Sequence, residues 1–394
     1  MGYPKIFLKK GKEFSLKRFH PWVFSGAIAR VEGTAHNGDV AEIFSHEGDY
    51  LGTGHAAEGS IAVRVFSFTG FDDSQSFWNK KIEDAFNLRV KLGLIDNPET
   101  NIYRLIHAEG DGLPGLIVDV YNRTAVIQTH SVGMHLCRNK IALAIKEVLK
   151  ERIVSIYDKS AEKIDKRNES ISTDGYLLGE KSDGVSVENG CKFDIDWETG
   201  QKTGFFIDQR EHRSLLGRYA VGKKVLNTFC YTGGFSIYAL KQGAALVHSL
   251  DSSQSALDLT DRNVILNGFG TDVHKSIKAD AVEFIKKIET DYDIIVLDPP
   301  AFAKHLSARH KAVQGYLRIN EAALRQIKSG GLLFTFSCSQ VVDKQLFNST
   351  IAAAAINAGR TVRILHQLHQ PPDHPISIFH PEGEYLKGLV LEVI

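Results

Sequence analysis

Between residues 224 and 338, short apolar runs alternate with longer segments in which apolar residues recur every three or four positions. The short runs have the length of β-strands, and the longer segments have the spacing of amphipathic helices. Apolar strands that alternate with helices are typical of a parallel sheet covered on both faces. The sequence therefore predicts an α/β, Rossmann-like domain over residues 190–394.

The N-terminal part of the chain shows a different pattern. Over residues 1–68, short β-type runs are bounded by glycine, asparagine and aspartate, which is typical of a small β-barrel or sandwich. Residues 74–185 mix both periodicities: a helical pattern follows Ser76, a candidate N-cap, and two apolar runs flank a turn at 121–123. We therefore expect a β-rich domain followed by a small α+β middle domain.

The composition is that of a globular chain, with 43% hydrophobic and 24% charged residues among 394. No apolar run approaches the ~20 residues that span a bilayer, and no apolar stretch of the kind found in secretion signals follows the N-terminus. The four cysteines form no C-x-x-C pair. His366, His369 and His374 lack acidic or cysteine ligands at metal spacing. We expect a cytoplasmic protein with no membrane association and no metal.

Charge is balanced overall, with 47 basic and 47 acidic residues, so nucleic-acid binding requires a local patch. Residues 5–18 hold six basic side chains against the single acid Glu13. We predict that five of these basic residues bind nucleic-acid phosphates: Lys9, Lys10, Lys12, Lys17 and Arg18. The alternative is that they form a solvated face of a small domain.

Residues suited to binding a cofactor follow the first three strands of the predicted sheet, at the edge where such sheets bind ligands. Gly233 and Gly234 form a tight turn before a helix, whose N-terminus offers free N–H groups. Asp251 ends the second strand and can accept both hydroxyls of a ribose. Asp280 follows the third strand and can hold an adenine amino group. Each acid alone is more often a helix cap, but together the strand ends indicate a nucleoside-containing cofactor.

The fourth and fifth strands end in Asp298 and Cys338. Two prolines after Asp298 force a rigid, extended exit, and D-P-P here is similar to the fourth motif of amino- and base-methylating Rossmann enzymes. Carbon 5 of a pyrimidine becomes nucleophilic only when a thiolate adds at carbon 6 and an acid stabilises the ring. We predict Cys338 as this nucleophile and Asp298 as the acid. The alternative for Cys338 is a buried strand-end cysteine.

Several motifs together resemble the bacterial ribosomal RNA large subunit methyltransferase I family, which are S-adenosylmethionine-dependent cytosine-5 methyltransferases. The motifs are KTGFFIDQREHR, VLNTFCYTGGFS, LDPPAFAKH and TFSCS, and the resemblance covers nearly the whole chain. The β-rich region with HPWVFSGAI is similar to the family's PUA domain, a small RNA-binding barrel. The resemblance implies a class I methyltransferase domain, S-adenosylmethionine as cofactor and large-subunit ribosomal RNA as partner.

The same resemblance implies roles for individual residues. Assigned to the methyl donor are Phe205, Asp208, Gln209, Arg210, Tyr231, Gly233, Gly234, Asp251 and Asp280. Asp298 and Cys338 match the catalytic motifs. Ala301 stands where many relatives carry lysine, and Lys304 is a candidate to supply that charge.

Three alternatives stay open. A methyltransferase of the same fold that acts on a guanine nitrogen needs no thiol, so Cys338 favours cytosine. A non-catalytic RNA-binding or ribosome assembly factor would have no need of the strand-edge acids. A small-molecule methyltransferase would leave the N-terminal β-rich domain unexplained. A homodimer is also left open.

Overall fold

The computed structural model describes residues 2–164, 173–303 and 305–394, so Lys304 lies outside the described residues. The chain divides into two units. Unit 1 holds the residues up to Ser186 together with Ile195–Ile207 and Pro372–Gly383, and unit 2 holds Val187–Asp194, Asp208–Pro371 and Glu384–Ile394. Two short segments of the predicted 190–394 domain thus fold with unit 1.

The first sheet of unit 1 is formed by the β-rich N-terminal region. Its elements are β1 (Lys5–Leu8), α1 (Phe14–Lys17), β2 (Trp22–Phe24), β3 (Ile28–Glu32), β4 (Val40–Phe44), β5 (Tyr50–Ala56) and β6 (Ile61–Ser67). The six strands pair in the order β2-β6-β5-β4-β1-β3. Alternate residues such as Ile6 and Leu8 point inward and pack with Leu16 of α1. The predicted β-rich fold of this region is confirmed.

A second, five-stranded sheet and three helices complete most of unit 1. The elements are α2 (Gln75–Lys91), β7 (Ile102–His107), β8 (Leu116–Tyr121), β9 (Thr124–Thr129), α3 (Val132–Leu136), α4 (Arg138–Leu149), β10 (Ser155–Asp158) and β11 (Gly175–Leu178). The strand order is β11-β10-β9-β8-β7, and β8 and β9 form the predicted hairpin. The predicted N-cap Ser76 is wrong: the Ser74 hydroxyl accepts from Phe77 N–H, and Ser76 already lies in the first turn of α2.

The strand–helix alternation of the C-terminal half is the fold of unit 2. A hairpin of β12 (Val185–Glu188) and β13 (Cys191–Asp194) precedes it in the chain. The elements that follow are α5 (Arg210–Tyr219), β14 (Lys224–Thr228), α6 (Gly234–Lys241), β15 (Leu246–Asp251), α7 (Gln254–Leu266), β16 (His274–Lys278), α8 (Ala281–Ile285), β17 (Ile294–Leu297), α9 (Arg309–Gln326), β18 (Gly331–Ser337), α10 (Lys344–Ala358), β19 (Val362–His369) and β20 (Lys387–Val393). Among the described helices, none has both the length and the apolar character needed to cross a membrane.

The sheet of unit 2 has the strand order β16-β15-β14-β17-β18-β20-β19. Strands β14 to β18 are parallel, and β20 runs antiparallel to both of its neighbours. The predicted Rossmann-like sheet is therefore confirmed. The order reverses beside β14, because β15 and β17 lie on its opposite sides. Loops diverge at such a point and leave a crevice at the carboxyl edge, which is where these sheets bind ligands.

Candidate active site

The turn between β14 and α6 is tightly bent. Phe229 and Tyr231 adopt left-handed backbone angles, with φ of +52° and +49°, and Gly233 has φ of +79°. A Cβ at Gly233 would lie 2.7 Å from Cγ2 of Thr260, so a side chain does not fit there. Left-handed residues with a Cβ are uncommon and cluster at ligand sites. The predicted glycine turn is present, and the missing side chain of Gly233 lets the turn pack directly on Thr260 of α7.

The carboxylate of Asp251 holds this turn in place. Its Oδ2 accepts from Tyr231 N–H at 3.0 Å, and its Oδ1 accepts from Ser253 N–H at 2.9 Å. Each carboxylate oxygen has a second lone pair, so both can still accept from ribose hydroxyls. The other side of the turn is held by α7, since Thr260 Oγ1 donates to the Tyr231 carbonyl and Asn263 Nδ2 donates to the Thr232 carbonyl, each at 2.9 Å. Nothing in the sequence predicts these hydrogen bonds from Thr260 and Asn263.

Asp280 follows β16 at the same edge of the sheet. It is the N-cap of α8, and its Oδ1 accepts from Glu283 N–H at 3.0 Å. The residue is exposed. Capping accounts for an aspartate here, so the contact between Asp280 and an adenine stays a prediction.

Asp298 follows β17 and is oriented by a residue that the sequence assigned to the methyl donor. Gln209 Nε2 donates to Asp298 Oδ2 at 2.9 Å. The side-chain oxygen Oε1 of Gln209 lies 2.5 Å from Nδ1 of the buried His212, which fixes the orientation of the side-chain amide. Gln209 thus supports Asp298, and its contact with the donor stays a prediction.

The other predicted donor residues of the 205–210 segment, Phe205, Asp208 and Arg210, are buried. Asp208 accepts a hydrogen bond of 2.6 Å from the Tyr385 hydroxyl, within unit 2. Phe205 belongs to unit 1, and Arg210 begins α5. Their predicted proximity to the donor stays a prediction.

Cys338 lies one residue beyond β18, next to the strand that carries Asp298. The two strands are parallel, with Leu297 paired with Thr335. The loops that follow them are joined, because Ser339 Oγ donates to the Ala303 carbonyl at 2.7 Å. Burial raises the pKa of Tyr316 on α9 to about 12, and electrostatic interactions with Cys338 and Asp298 add to this shift. Asp298 and Cys338 therefore follow adjacent parallel strands at the same edge of the sheet.

Lys387 on β20 is a further charged group beside Cys338 that sequence reasoning missed. It pairs with Ser337, is only 5% exposed, and donates from Nζ to the Ser339 carbonyl at 2.8 Å. Burial lowers the pKa of Lys387, and electrostatic interaction with Cys338 opposes that shift. An ammonium near a sulfur stabilises the thiolate. A lysine in the last strand gave no signal because only the antiparallel pairing of β20 brings it to this edge.

The predicted basic patch lies in unit 1. Lys9, Lys10, Lys12, Lys17 and Arg18 are all exposed. Lys9 Nζ donates to the Gly26 carbonyl at 2.9 Å, and the patch borders the first sheet. Exposure is what phosphate binding requires, so RNA binding by this patch stays a prediction.

His20, His380 and Glu382 form a group with metal-ligating atoms close together in unit 1, which the sequence did not suggest. Nδ1 of His20 accepts from Trp22 N–H at 3.2 Å, so neutral His20 carries its proton on Nε2. That nitrogen faces Glu382 Oε1 at 3.5 Å. Nε2 of His380 lies 3.8 Å from Glu382 Oε2, so contacts with one carboxylate bring the two histidines together.

Two family models match the chain. A model described as an S-adenosylmethionine-dependent methyltransferase matches residues 161–384, and a PUA-like domain model matches residues 6–68. The "Ribosomal RNA large subunit methyltransferase I" of Alteromonas mediterranea is 40% identical over 99% of this chain and 98% of its own. The chain belongs to the ribosomal RNA large subunit methyltransferase I family. The protein of that name from Vibrio vulnificus strain CMCP6 is 39% identical over 99% of both chains.

Solved structures agree with membership of the ribosomal RNA large subunit methyltransferase I family at the level of the fold. A chain named as a SAM-dependent methyltransferase from Streptococcus mutans superposes with a TM-score of 0.84 at 22% identity, covering 98% of this chain and 99% of its own. A structure of SMU.776 "complexed with SAH" gives a TM-score of 0.85 at the same identity and coverage. Membership establishes S-adenosylmethionine as the methyl donor, and the turn at Gly233 with the Asp251 carboxylate fits such a group.

Replacing Asp251 with alanine is expected to weaken S-adenosylmethionine binding by about 1.5–3 kcal/mol, because a charge-assisted acceptor is lost and the turn at Tyr231 is released. Isothermal calorimetry measures the change. Asp258→Ala is the matched control, since Asp258 is an exposed acid on α7. Equal affinity for S-adenosylmethionine in the wild-type protein and in Asp251→Ala would show that Asp251 does not bind the donor.

Proposed function

We propose that the protein methylates carbon 5 of a cytosine in large-subunit ribosomal RNA, through a covalent bond between Cys338 and the base. The observation that carries the proposal is the position of Cys338 beside Asp298, at the sheet edge that also carries the Gly233 turn. A thiol and a carboxyl beside a methyl-donor turn are the groups that carbon-5 chemistry requires. The names of the relatives support ribosomal RNA as the substrate.

In the proposed reaction, the Cys338 sulfur bonds to carbon 6 of the cytosine, and electron density moves to carbon 5. S-adenosylmethionine, when bound, supplies an electrophilic methyl group. Asp298 acts as the acid: it donates its proton toward the ring nitrogen or oxygen on which negative charge develops, and Gln209 keeps its carboxyl in one orientation. Carbon 5 takes the methyl group and leaves the demethylated donor as the second product. Loss of the carbon-5 proton to a base and departure of the Cys338 sulfur as a thiolate then restore the aromatic ring.

The other three cysteines are poor candidates for the nucleophile. Burial raises the pKa of Cys137 to about 11 and that of Cys191 to about 12. Burial also raises the pKa of Cys230, and the charge of Asp251 adds to the shift. These thiols stay protonated at neutral pH, whereas only a thiolate attacks. Cys338 instead has the Lys387 ammonium nearby, which supports its selection as the nucleophile.

A guanine-nitrogen methyltransferase is the second candidate. The pair of Asp298 and Gln209 could also orient an amino or ring nitrogen, which already has a lone pair. A tRNA m1G37 methyltransferase from M. jannaschii has a comparable fold, with a TM-score of 0.50 at 14% identity. Methylation of a guanine nitrogen would leave Cys338 and the charge of Lys387 without a role in the reaction.

The product of the reaction separates the two candidates. Purified protein is incubated with isotope-labelled S-adenosylmethionine and unmodified large-subunit ribosomal RNA, and the RNA is digested and analysed by mass spectrometry. We expect labelled 5-methylcytidine, with a small-subunit transcript as the control. Labelled methylguanosine would instead establish the second candidate. The absence of label from both free RNA and a protein-depleted particle would indicate a non-catalytic role.

A further inference from the structure

Unit 1 carries four half-exposed phenylalanines, and two of them, Phe19 and Phe379, have their rings 5.4 Å apart. The four are Phe14 at 59% exposure, Phe19 at 51%, Phe24 at 47% and Phe379 at 50%. We propose that the rings of Phe19 and Phe379, which together form the ring surface, stack unpaired bases of single-stranded RNA. The inference rests on the proposed RNA substrate and names how that RNA is held. Scattered exposed apolar residues need no explanation, but grouped ones mark an interaction site.

The backbone at Phe19 is strained in a way that favours a function for its ring. Phe19 has φ of +62° and closes the turn after α1, with its N–H donating to the Leu16 carbonyl at 2.8 Å. This position usually carries glycine, because a Cβ is disfavoured in the left-handed region. The ring packs edge-on against Phe68 and lies 5.4 Å from the ring of Phe379. Glycine would fit this backbone conformation better, so we infer that the phenylalanine is present for its ring.

Phe379 lies in the segment Pro372–Gly383, whose first residues are held in place by hydrogen bonds and close packing. Arg89 Nη2 donates to the Asp373 carbonyl at 2.7 Å, and the Asp373 carboxylate accepts from Arg104 N–H at 3.0 Å. A Cβ at Gly110 would lie 1.9 Å from the Pro375 carbonyl oxygen, so the segment packs directly on backbone. The exposure of Phe379 is therefore built into a fixed loop, and a preorganised ring loses little entropy on stacking.

Exposed cations alternate with the rings along the chain. Lys12, Lys17 and Arg18 are exposed between and beside Phe14 and Phe19. Lys12 and Phe24 line the same groove of about 280 Å³, and Phe19 and Phe379 line a cleft of about 550 Å³. The two acids in that cleft already have partners: Asp84 pairs with Lys80 at 2.8 Å, and Glu109 accepts from Trp22 Nε1 at 2.9 Å.

This combination fits single-stranded RNA better than duplex RNA or an apolar protein. Cations bind phosphates along any strand, but only unpaired bases offer a free face to an aromatic ring. A duplex has its bases already stacked, and an apolar protein surface would leave Lys12, Lys17 and Arg18 without partners. The ring surface and the predicted basic patch would thus hold one strand between them.

The test compares leucine with tryptophan at the same positions. Phe19→Leu and Phe379→Leu keep apolar volume and remove the ring, whereas Phe19→Trp and Phe379→Trp keep a stacking face. Fluorescence anisotropy measures the binding of a fluorescein-labelled 12-nucleotide single-stranded RNA and of the same sequence as a duplex. Ile265→Ala is the control, since Ile265 is 72% exposed in unit 2. Thermal melting and S-adenosylmethionine binding confirm that each variant is folded.

We expect each leucine variant to weaken single-strand binding about 5- to 100-fold and each tryptophan variant to retain it. The salt dependence should not change in the leucine variants, whereas Lys17→Ala and Arg18→Ala should each reduce the slope by about 0.7. Methylation of RNA by the leucine variants should show a raised KM with kcat unchanged. The anisotropy result is independent of methylation, so a failed methyltransferase assay does not decide it.

Wild-type affinity in both leucine variants would overturn the proposal. Equal losses in the leucine and tryptophan variants would also overturn it, because packing and not stacking would then be responsible. A loss confined to duplex RNA, or a loss of binding to ribosomal proteins with single-strand binding intact, would assign the ring surface to another partner.

Discussion

Cys338→Ala is expected to abolish methyl transfer while S-adenosylmethionine affinity stays within about twofold of wild type, because the sulfur attacks the base and not the donor. The Gly233 turn and Asp251, which are predicted to hold the donor, follow other strands of the sheet. Transfer of a labelled methyl group to RNA measures the first quantity, and calorimetry measures the second. Cys137→Ala is the matched control, since Cys137 is half-buried like Cys338 and lies in unit 1.

The covalent bond itself can be trapped. RNA that contains 5-fluorocytosine has no proton to lose from carbon 5 after methylation, so the bond to Cys338 should persist. A denaturing gel should show a slower band that requires both S-adenosylmethionine and Cys338. Full methylation by Cys338→Ala would refute the carbon-5 mechanism and favour the reaction at a guanine nitrogen.

Glu188→Leu is expected to destabilise unit 2 by about 3–5 kcal/mol, because it leaves the buried guanidinium of Arg213 without its counter-ion. Glu188 is fully buried, and Arg213 donates to both of its carboxylate oxygens at 2.8 Å. The Tyr238 hydroxyl also donates to Glu188, at 3.0 Å. Chemical denaturation followed by fluorescence measures the loss.

Donor binding should fall together with stability in Glu188→Leu, because Arg213 packs against the predicted donor turn. Its Cδ lies 3.0 Å from where a Cβ at Gly234 would be. The double variant Glu188→Leu, Arg213→Leu should recover part of the stability, because no unpaired charge is then buried. The control is Asp194→Asn, which breaks an exposed 3.5 Å pair with Arg262 and should cost at most about 1 kcal/mol. A similar loss of stability in Glu188→Leu and in Asp194→Asn would contradict a special role for the buried pair of Glu188 and Arg213.

The sequence alone determined which residues stand at the carboxyl edge of the sheet. Strands and helices alternate with clear periodicities, and parallel strands place all their carboxyl ends at one edge. A residue that follows an apolar run, such as Gly233, Asp251, Asp298 or Cys338, can therefore be assigned to this edge from the pattern of the chain. The hairpin turn between β8 and β9 was predictable for a similar reason, because its signals are local.

Only the tertiary structure decided which side chains surround those residues. Gln209 reaches Asp298 across 89 positions, and Lys387 reaches Ser339 across 48. Phe19 and Phe379 come together across 360 positions, because Pro372–Gly383 folds with unit 1. Even the start of α2 depended on whether the hydroxyl of Ser74 or of Ser76 could reach Phe77 N–H. Periodicity records which face of an element is buried, but a distant partner is set by packing geometry, which no local pattern encodes.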